Sequence, residues 1–162
     1  MVPQRALAAS GGFQSELPLT RATASRWHDC GMDALDATSC AVLITDATLP
    51  DNPIVYANAA FATLWGYAVS EVIGRNCRFL QGPDTDPQAR ENIREALAAG
   101  KGIRRKMLNY RKDGTSFWND VTIDPIRDPD GRLIGFVGIQ AQVDGAEDPI
   151  ETKAEAESKL PL

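Results

Sequence analysis

Three kinds of side chain in this sequence could do chemistry together. One is a cysteine, Cys77, set between an amide and a guanidinium in the segment Gly74-Arg75-Asn76-Cys77-Arg78-Phe79-Leu80-Gln81-Gly82. A thiol is a nucleophile, but it is also a small packing residue, and Cys30 and Cys40 read that way. The second kind is amides. Asn109 follows Met107, Asn119 alternates with Phe117, Val121 and Ile123, and Gln140 follows Ile134, Phe136 and Gly138. Residues two apart on a strand share a face. Three strands therefore each offer one carboxamide from a face that should point inward. A buried carboxamide must be hydrogen-bonded, and it brings both a donor and an acceptor. Such a set suits a flat heterocycle whose rim alternates C=O and N–H; otherwise the amides bond to backbone or to each other. The third kind is arginine. Arg90 and Arg94 share one helical face, and Arg78 lies in the loop before that helix. Guanidiniums hold phosphate through paired hydrogen bonds. The other reading is a solvated basic face paired with Glu91 or Glu95.

The elements that must position these groups follow from pattern. Ala41–Thr45 is an apolar run, Pro50-Asp51-Asn52-Pro53 is a turn cluster, and Ile54–Ala57 completes a hairpin. Asn58 is a helix N-cap for a segment running to Trp65. Ser70–Ile73 is one further turn of helix, stopped by Gly74. Asp86-Pro87 opens the longest helix, with cap and first-turn proline in order, and Gly100 ends it. Three strands follow: Gly102–Tyr110, Ser116–Arg127 and Leu133–Val143, separated by Lys112-Asp113-Gly114 and Asp128-Pro129-Asp130-Gly131. Two strands, several helices and three strands predict an α+β fold, a five-stranded antiparallel sheet with helices on one face. Residues 1–20 read as a mobile tail, 21–40 as a helical cap and 144–162 as a helix-favouring tail around a core of 41–143.

The 162 residues carry a net charge of −5, with 43% hydrophobic and 24% charged residues. That is ordinary for one soluble domain, and it argues against a nucleic-acid or anionic-membrane binder. Arg104-Arg105-Lys106 reads as a solvated strand edge. No apolar run approaches a membrane span, and Met1–Ala8 lacks the apolar core of a secretory signal. The three cysteines have no metal-ligand spacing and His28 is the single histidine, so no metal site is expected. Free thiols point to a reducing cytoplasm.

The segment around Cys77 resembles the GxNCRFLQ signature of the LOV (light-oxygen-voltage) branch of the PAS fold. Further matches stand in family order: Thr45-Asp46 through Asn52-Pro53-Ile54, Phe61 with Gly66-Tyr67, Thr85-Asp86-Pro87, Ile93-Arg94, Asn109-Tyr110, Phe117-Trp118-Asn119 and Gly138-Ile139-Gln140. The resemblance covers about Ala41 to Val143. It implies a blue-light photoreceptor that binds flavin mononucleotide (FMN), with Cys77 adding reversibly to carbon 4a of the excited ring while nitrogen 5 is protonated. It implies that Asn109 and Asn119 bond the pyrimidine edge, that Asn76 and Gln81 lie near the ribityl chain and ring, and that Gln140 faces nitrogen 5. Arg78 and Arg94 would hold the phosphate, Thr45 would join the cofactor contacts, and Leu43, Ile54, Phe61, Leu80, Ile93, Leu97, Ile123 and Phe136 would form apolar walls. Three positions depart from the commoner pattern: Arg90 stands for an aliphatic residue and suggests an extra phosphate contact, Trp65 stands for threonine, and Ile123 for leucine.

No kinase, cyclase or DNA-binding segment fits outside this region, so the expectation is a sensor without its own enzyme activity or attached effector, working through flanking helices and a downstream protein. Two rival readings are a PAS ligand or flavin redox sensor in which light is incidental, and an interaction domain without cofactor. The outward residues of the last strand, Leu133, Val137, Ile139, Ala141 and Val143, are all apolar, with Leu108, Tyr110 and Trp118 beside them. An antiparallel sheet with a wet face should be polar there. A partner copy in a homodimer whose arrangement changes with light is the expected cover; the 21–38 segment, with Trp27, Met32 and Leu35, is the alternative.

Overall fold

A computed structural model describes residues 38–145. The predicted tail, N-terminal cap and C-terminal helix lie outside the described residues, apart from 38–40 and 144–145. The strands are β1 (Ala41–Asp46), β2 (Ile54–Ala57), β3 (Ile103–Tyr110), β4 (Ser116–Arg127) and β5 (Leu133–Val143). The helices are α1 (Ala59–Trp65), α2 (Val69–Val72) and α3 (Pro87–Ala98), with a 3₁₀ turn at Cys77–Leu80. The sheet runs β2-β1-β5-β4-β3, with every neighbouring pair antiparallel. The α+β expectation is met.

Local chemistry explains the elements. At seven residues, α1 is too short to persist alone. Asn58 ties it down: its Oδ1 accepts from the N–H of Phe61 at 2.9 Å and of Val42 at 3.0 Å, and its Nδ2 donates to the Cys40 carbonyl at 2.7 Å. Phe61 and Trp65 are fully buried, each contributing on the order of 1.5–3 kcal/mol or more. Gly66, at φ 76°, closes the helix in the left-handed region. Asp86 caps α3 by accepting from the N–H of Gln88 at 3.0 Å, with Pro87 in the first turn.

All helices pack on one face of the sheet. Phe61, Trp65 and Val72 join Leu43, Ile54 and Phe117 in one cluster, and Ala89 of α3 packs with Met107 and Val121. Two expectations fail. Ile134 does not share Phe136's surroundings but packs with Val42, Ile44, Val55 and Tyr56. The β4–β5 register passes from Ile126↔Gly135 to Arg127↔Leu133, leaving Ile134 unpaired in a bulge that turns it away. The basic cluster on edge strand β3 is not simply solvated. Arg104 forms a two-point bond with Asp120, while the Arg105 side chain is only 10% exposed and lies 3.9 Å from Asp86.

Candidate functional site

Cys77 opens the 3₁₀ turn. Asn76 caps it by accepting from the Arg78 N–H at 3.0 Å and donates its Nδ2 to the Asp51 carbonyl at 2.7 Å. The N–H of Ile54 donates to the Arg75 carbonyl at 2.9 Å, and that of Gly74 to the Ile54 carbonyl at 2.8 Å. The loop holding the thiol is thus stitched to β2 and its preceding turn. Burial pushes the Cys77 thiol up to about 12, against smaller opposing effects of a backbone hydrogen bond and Arg78. Cys77 is therefore a protonated thiol at neutral pH, unlike cysteines activated as thiolates. It brings a sulfur and a proton together.

The thiol borders a cavity of about 870 Å³, within the ordinary range for cofactor sites of about 300–1,000 Å³. The turn region contributes Asn76, Cys77, Arg78, Leu80 and Gln81. Helix α3 contributes Arg90, Ile93, Arg94 and Leu97. The sheet contributes Leu43 and Thr45 from β1, Asn109 from β3, Asn119 and Ile123 from β4, and Phe136 and Gln140 from β5. Two residues expected in the apolar wall do not reach the cavity: Ile54 and Phe61 are fully buried one layer back, with Trp65 and Val72, because β2 lies beyond β1 and packs under the helices.

The three amides are buried. Asn119 donates to Asn109 Oδ1 at 3.0 Å, and Asn109 donates to the Leu80 carbonyl at 3.2 Å. The amides thus bond to each other and to backbone, yet one of their acceptors is left over: Asn119 Oδ1 is buried without a protein partner, as are Thr45 Oγ1 and Asn52 Oδ1. All three residues line the cavity. Stranding such oxygens costs roughly 1–3 kcal/mol each, so the site is built for a polar ligand with its own donors. Gln140 accepts from the Trp65 indole Nε1–H at 2.5 Å.

All three arginines line the cavity, and each has surroundings of its own. Arg78 pairs with Asp51, whose carboxyl that guanidinium holds below its usual range. Arg94 pairs with Glu91. Arg90 is exposed and makes no ion pair among the described residues. Among the lining residues that sequence reasoning missed are Asp51, Asn52, Met107, Val121 and Gly138. Met107 and Val121 carried a signal, since they alternate with Asn109 and Asn119; Asp51 carried none.

Among the described residues, no three His, Cys, Asp or Glu side chains are grouped to hold a metal ion. No helix among them is long and apolar enough to cross a membrane.

Residues 39–141 match the family model of the PAS domain. The chain is 45% identical over 130 residues to Phototropin-2 of Oryza sativa subsp. japonica, covering 80% of this chain and 14% of that protein. It is 46% identical over 127 residues to the blue-light-activated histidine kinase of Brucella abortus, covering 78% of this chain and 26% of that protein. It therefore spans only a small part of the length of these relatives. Among solved structures, the dark form of the blue-light photoreceptor Aureochrome1 LOV superposes with a TM-score of 0.65 at 49% identity, covering 70% of this chain and 82% of that one. The LOV domain of the blue-light activated histidine kinase from Erythrobacter litoralis superposes with a TM-score of 0.61 at 42% identity, covering 64% and 94%.

Proposed function

Because this chain belongs to the PAS domain family, and within it to the LOV branch, we propose that it is the flavin-binding, light-sensing unit of a blue-light photoreceptor. The observation that carries the reading is the set of buried, partnerless oxygens, Thr45 Oγ1, Asn119 Oδ1 and Asn52 Oδ1, on residues lining a cavity bordered by a protonated cysteine. A flavin ring presents both N–H and C=O groups at one edge, which suits Asn119 and Asn109. Its phosphate suits Arg78, Arg90 and Arg94, so the cofactor is FMN. Asn76 and Gln81 lie toward the ribityl chain, and Leu43, Leu80, Ile93, Leu97, Ile123 and Phe136 supply apolar contact.

When bound, the flavin supplies absorption of blue light and an excited ring carbon that accepts sulfur. Cys77 is the residue that would supply the sulfur for that carbon and the thiol proton for the neighbouring ring nitrogen, and that would recover its proton as the bond breaks in darkness. The raised thiol pKa keeps that proton in place until it is needed, and a reducing, cytoplasmic setting keeps Cys77 free. Asn119, Asn109 and Gln140 orient the ring, while the protein's apolar walls exclude water. Gln140 senses the proton and passes the change along β5. Ile139 and Ala141, its outward neighbours, are exposed, and Ile139 is the exposed large hydrophobic of the described region at 42%. We place a light-dependent homodimer contact on that face, with the flanking segments as the route to a downstream protein.

The purified chain loaded with FMN tests the reading by absorption. A blue band that bleaches under blue light and returns in darkness is expected. A flavin spectrum unchanged by light would leave a flavin protein that is not this photoreceptor, and no flavin binding at all would overturn the cofactor as well.

A further inference from the structure

We infer that Trp65 is a positioning residue that fixes the orientation of the Gln140 amide and thereby shortens the lifetime of the light-induced state; the inference rests on the flavin reading above. Trp65 and Gln140 are 75 residues apart in sequence and both are buried, Trp65 completely. Their bond runs from the indole Nε1–H to the amide oxygen at 2.5 Å.

An indole nitrogen donates and cannot accept. The partner atom on Gln140 must therefore be its oxygen, so the chemistry of Trp65 fixes the orientation of the amide. The NH₂ is then turned away from Trp65. It lies on the side of Gly138, a cavity-lining residue whose added Cβ would come within 3.6 Å of Nε2. Gln140 thus serves as a donor toward the cavity.

On the flavin reading, a ring nitrogen that received the Cys77 proton would change from acceptor to donor, and Gln140 would then meet it donor against donor. Turning the amide by half a rotation answers the new N–H with the amide oxygen, but brings NH₂ against the Trp65 N–H. One donor clash is exchanged for another.

Trp65 cannot easily step aside. Its ring lies 5.8 Å from that of Phe61 and 4.9 Å from that of Phe117. Its carbonyl accepts from the Lys112 N–H at 3.0 Å. A fixed, donor-only neighbour therefore favours the dark orientation of Gln140 and penalises the turned one. The penalised light state should relax sooner.

The test is a double-mutant cycle with Trp65→Phe and Gln140→Leu, using the full FMN-loaded chain. Phenylalanine keeps an aromatic ring between Phe61 and Phe117 and removes the donor, but it also leaves a cavity at this fully buried site; that loss of volume is common to both backgrounds, so the cycle isolates the bond to Gln140. Trp65→Phe should slow dark recovery by about two- to tenfold, the equivalent of one ordinary hydrogen bond. In the Gln140→Leu background the same change should have little effect. A second measurement does not involve the photocycle. In nitrogen-15 NMR in darkness, with or without flavin, the Trp65 indole proton should exchange slowly, and Gln140→Leu should shift its resonance and speed its exchange. Equal effects of Trp65→Phe in both backgrounds, or an indole resonance indifferent to Gln140→Leu, overturn the proposal while a normal wild-type bleach leaves the photoreceptor reading intact. An unsubstituted chain that never bleaches overturns that reading, and this inference falls with it.

Discussion

The Arg78 guanidinium holds both carboxylate oxygens of Asp51, at 2.8 Å and 2.5 Å, although the two residues are 27 positions apart. Both side chains are 62% exposed, so solvent screens the pair and it is worth little in isolation. A phosphate bound at the rim would compete with Asp51 for the same guanidinium.

Asp51→Asn should therefore release Arg78 to a phosphate. Affinity for FMN relative to riboflavin, measured by titration of the flavin-stripped protein, should rise by about two- to fivefold, the range an exposed ion pair can supply. Arg78→Ala should lower the same ratio. An unchanged ratio in both variants would remove Arg78 from the phosphate site.

Thr45 offers a separation of stability from function. Its hydroxyl is buried without a partner, and valine has nearly the same shape. In the flavin-stripped protein, Thr45→Val should raise stability by about 1 kcal/mol, within the desolvation range of a stranded hydroxyl. It should also weaken flavin binding. Thermal unfolding and flavin titration read the two effects, and a variant that is less stable yet binds flavin normally contradicts the assignment.

The Cys77 thiol predicts a pH dependence. Its folded-state value is raised from 9.0 to about 12. The folded protein keeps the proton where an unfolded chain would lose it, so this contribution is complete below about pH 9 and is lost as pH rises toward 12. Unfolding midpoints of the flavin-stripped chain should fall over that interval, and less steeply in Cys77→Ala. At pH 8, alkylation followed by peptide mapping should modify exposed Cys40 before Cys77. Faster modification of Cys77 would mean an accessible thiolate and a different chemistry.

The outer face of β5 predicts assembly. Light scattering after size exclusion should find a dimer whose arrangement differs between darkness and blue light, and Ile139→Asp should weaken it. A monomer at every concentration in both conditions would reject the interface.

The strands, turns and α3 were legible because alternation, Asp-Gly turns and the Asp86-Pro87 cap are local signals. The amide set was legible for the same reason: Asn109, Asn119 and Gln140 interrupt apolar stripes. Ile134 was misread because a bulge breaks the period of two, and no residue type announces that bulge. Ile54 and Phe61 were expected in the cavity wall and lie in the core instead; apolar character alone does not say whether a residue borders a cavity or lies one layer behind it. The Arg78–Asp51 and Trp65–Gln140 bonds join distant segments, so only the fold could pair them. Trp65 did stand out in sequence as a departure from a family pattern, without revealing its partner.

The central claim is that Cys77 forms the light-driven bond. The direct measurement compares absorption of the FMN-loaded wild-type chain and Cys77→Ala, in darkness, under blue light and through recovery. Cys77→Ala should retain its flavin band and lose the reversible bleach, since the thiol supplies the bond but little cofactor affinity. A Cys77→Ala protein that bleaches and recovers in darkness as the wild type does would contradict the account.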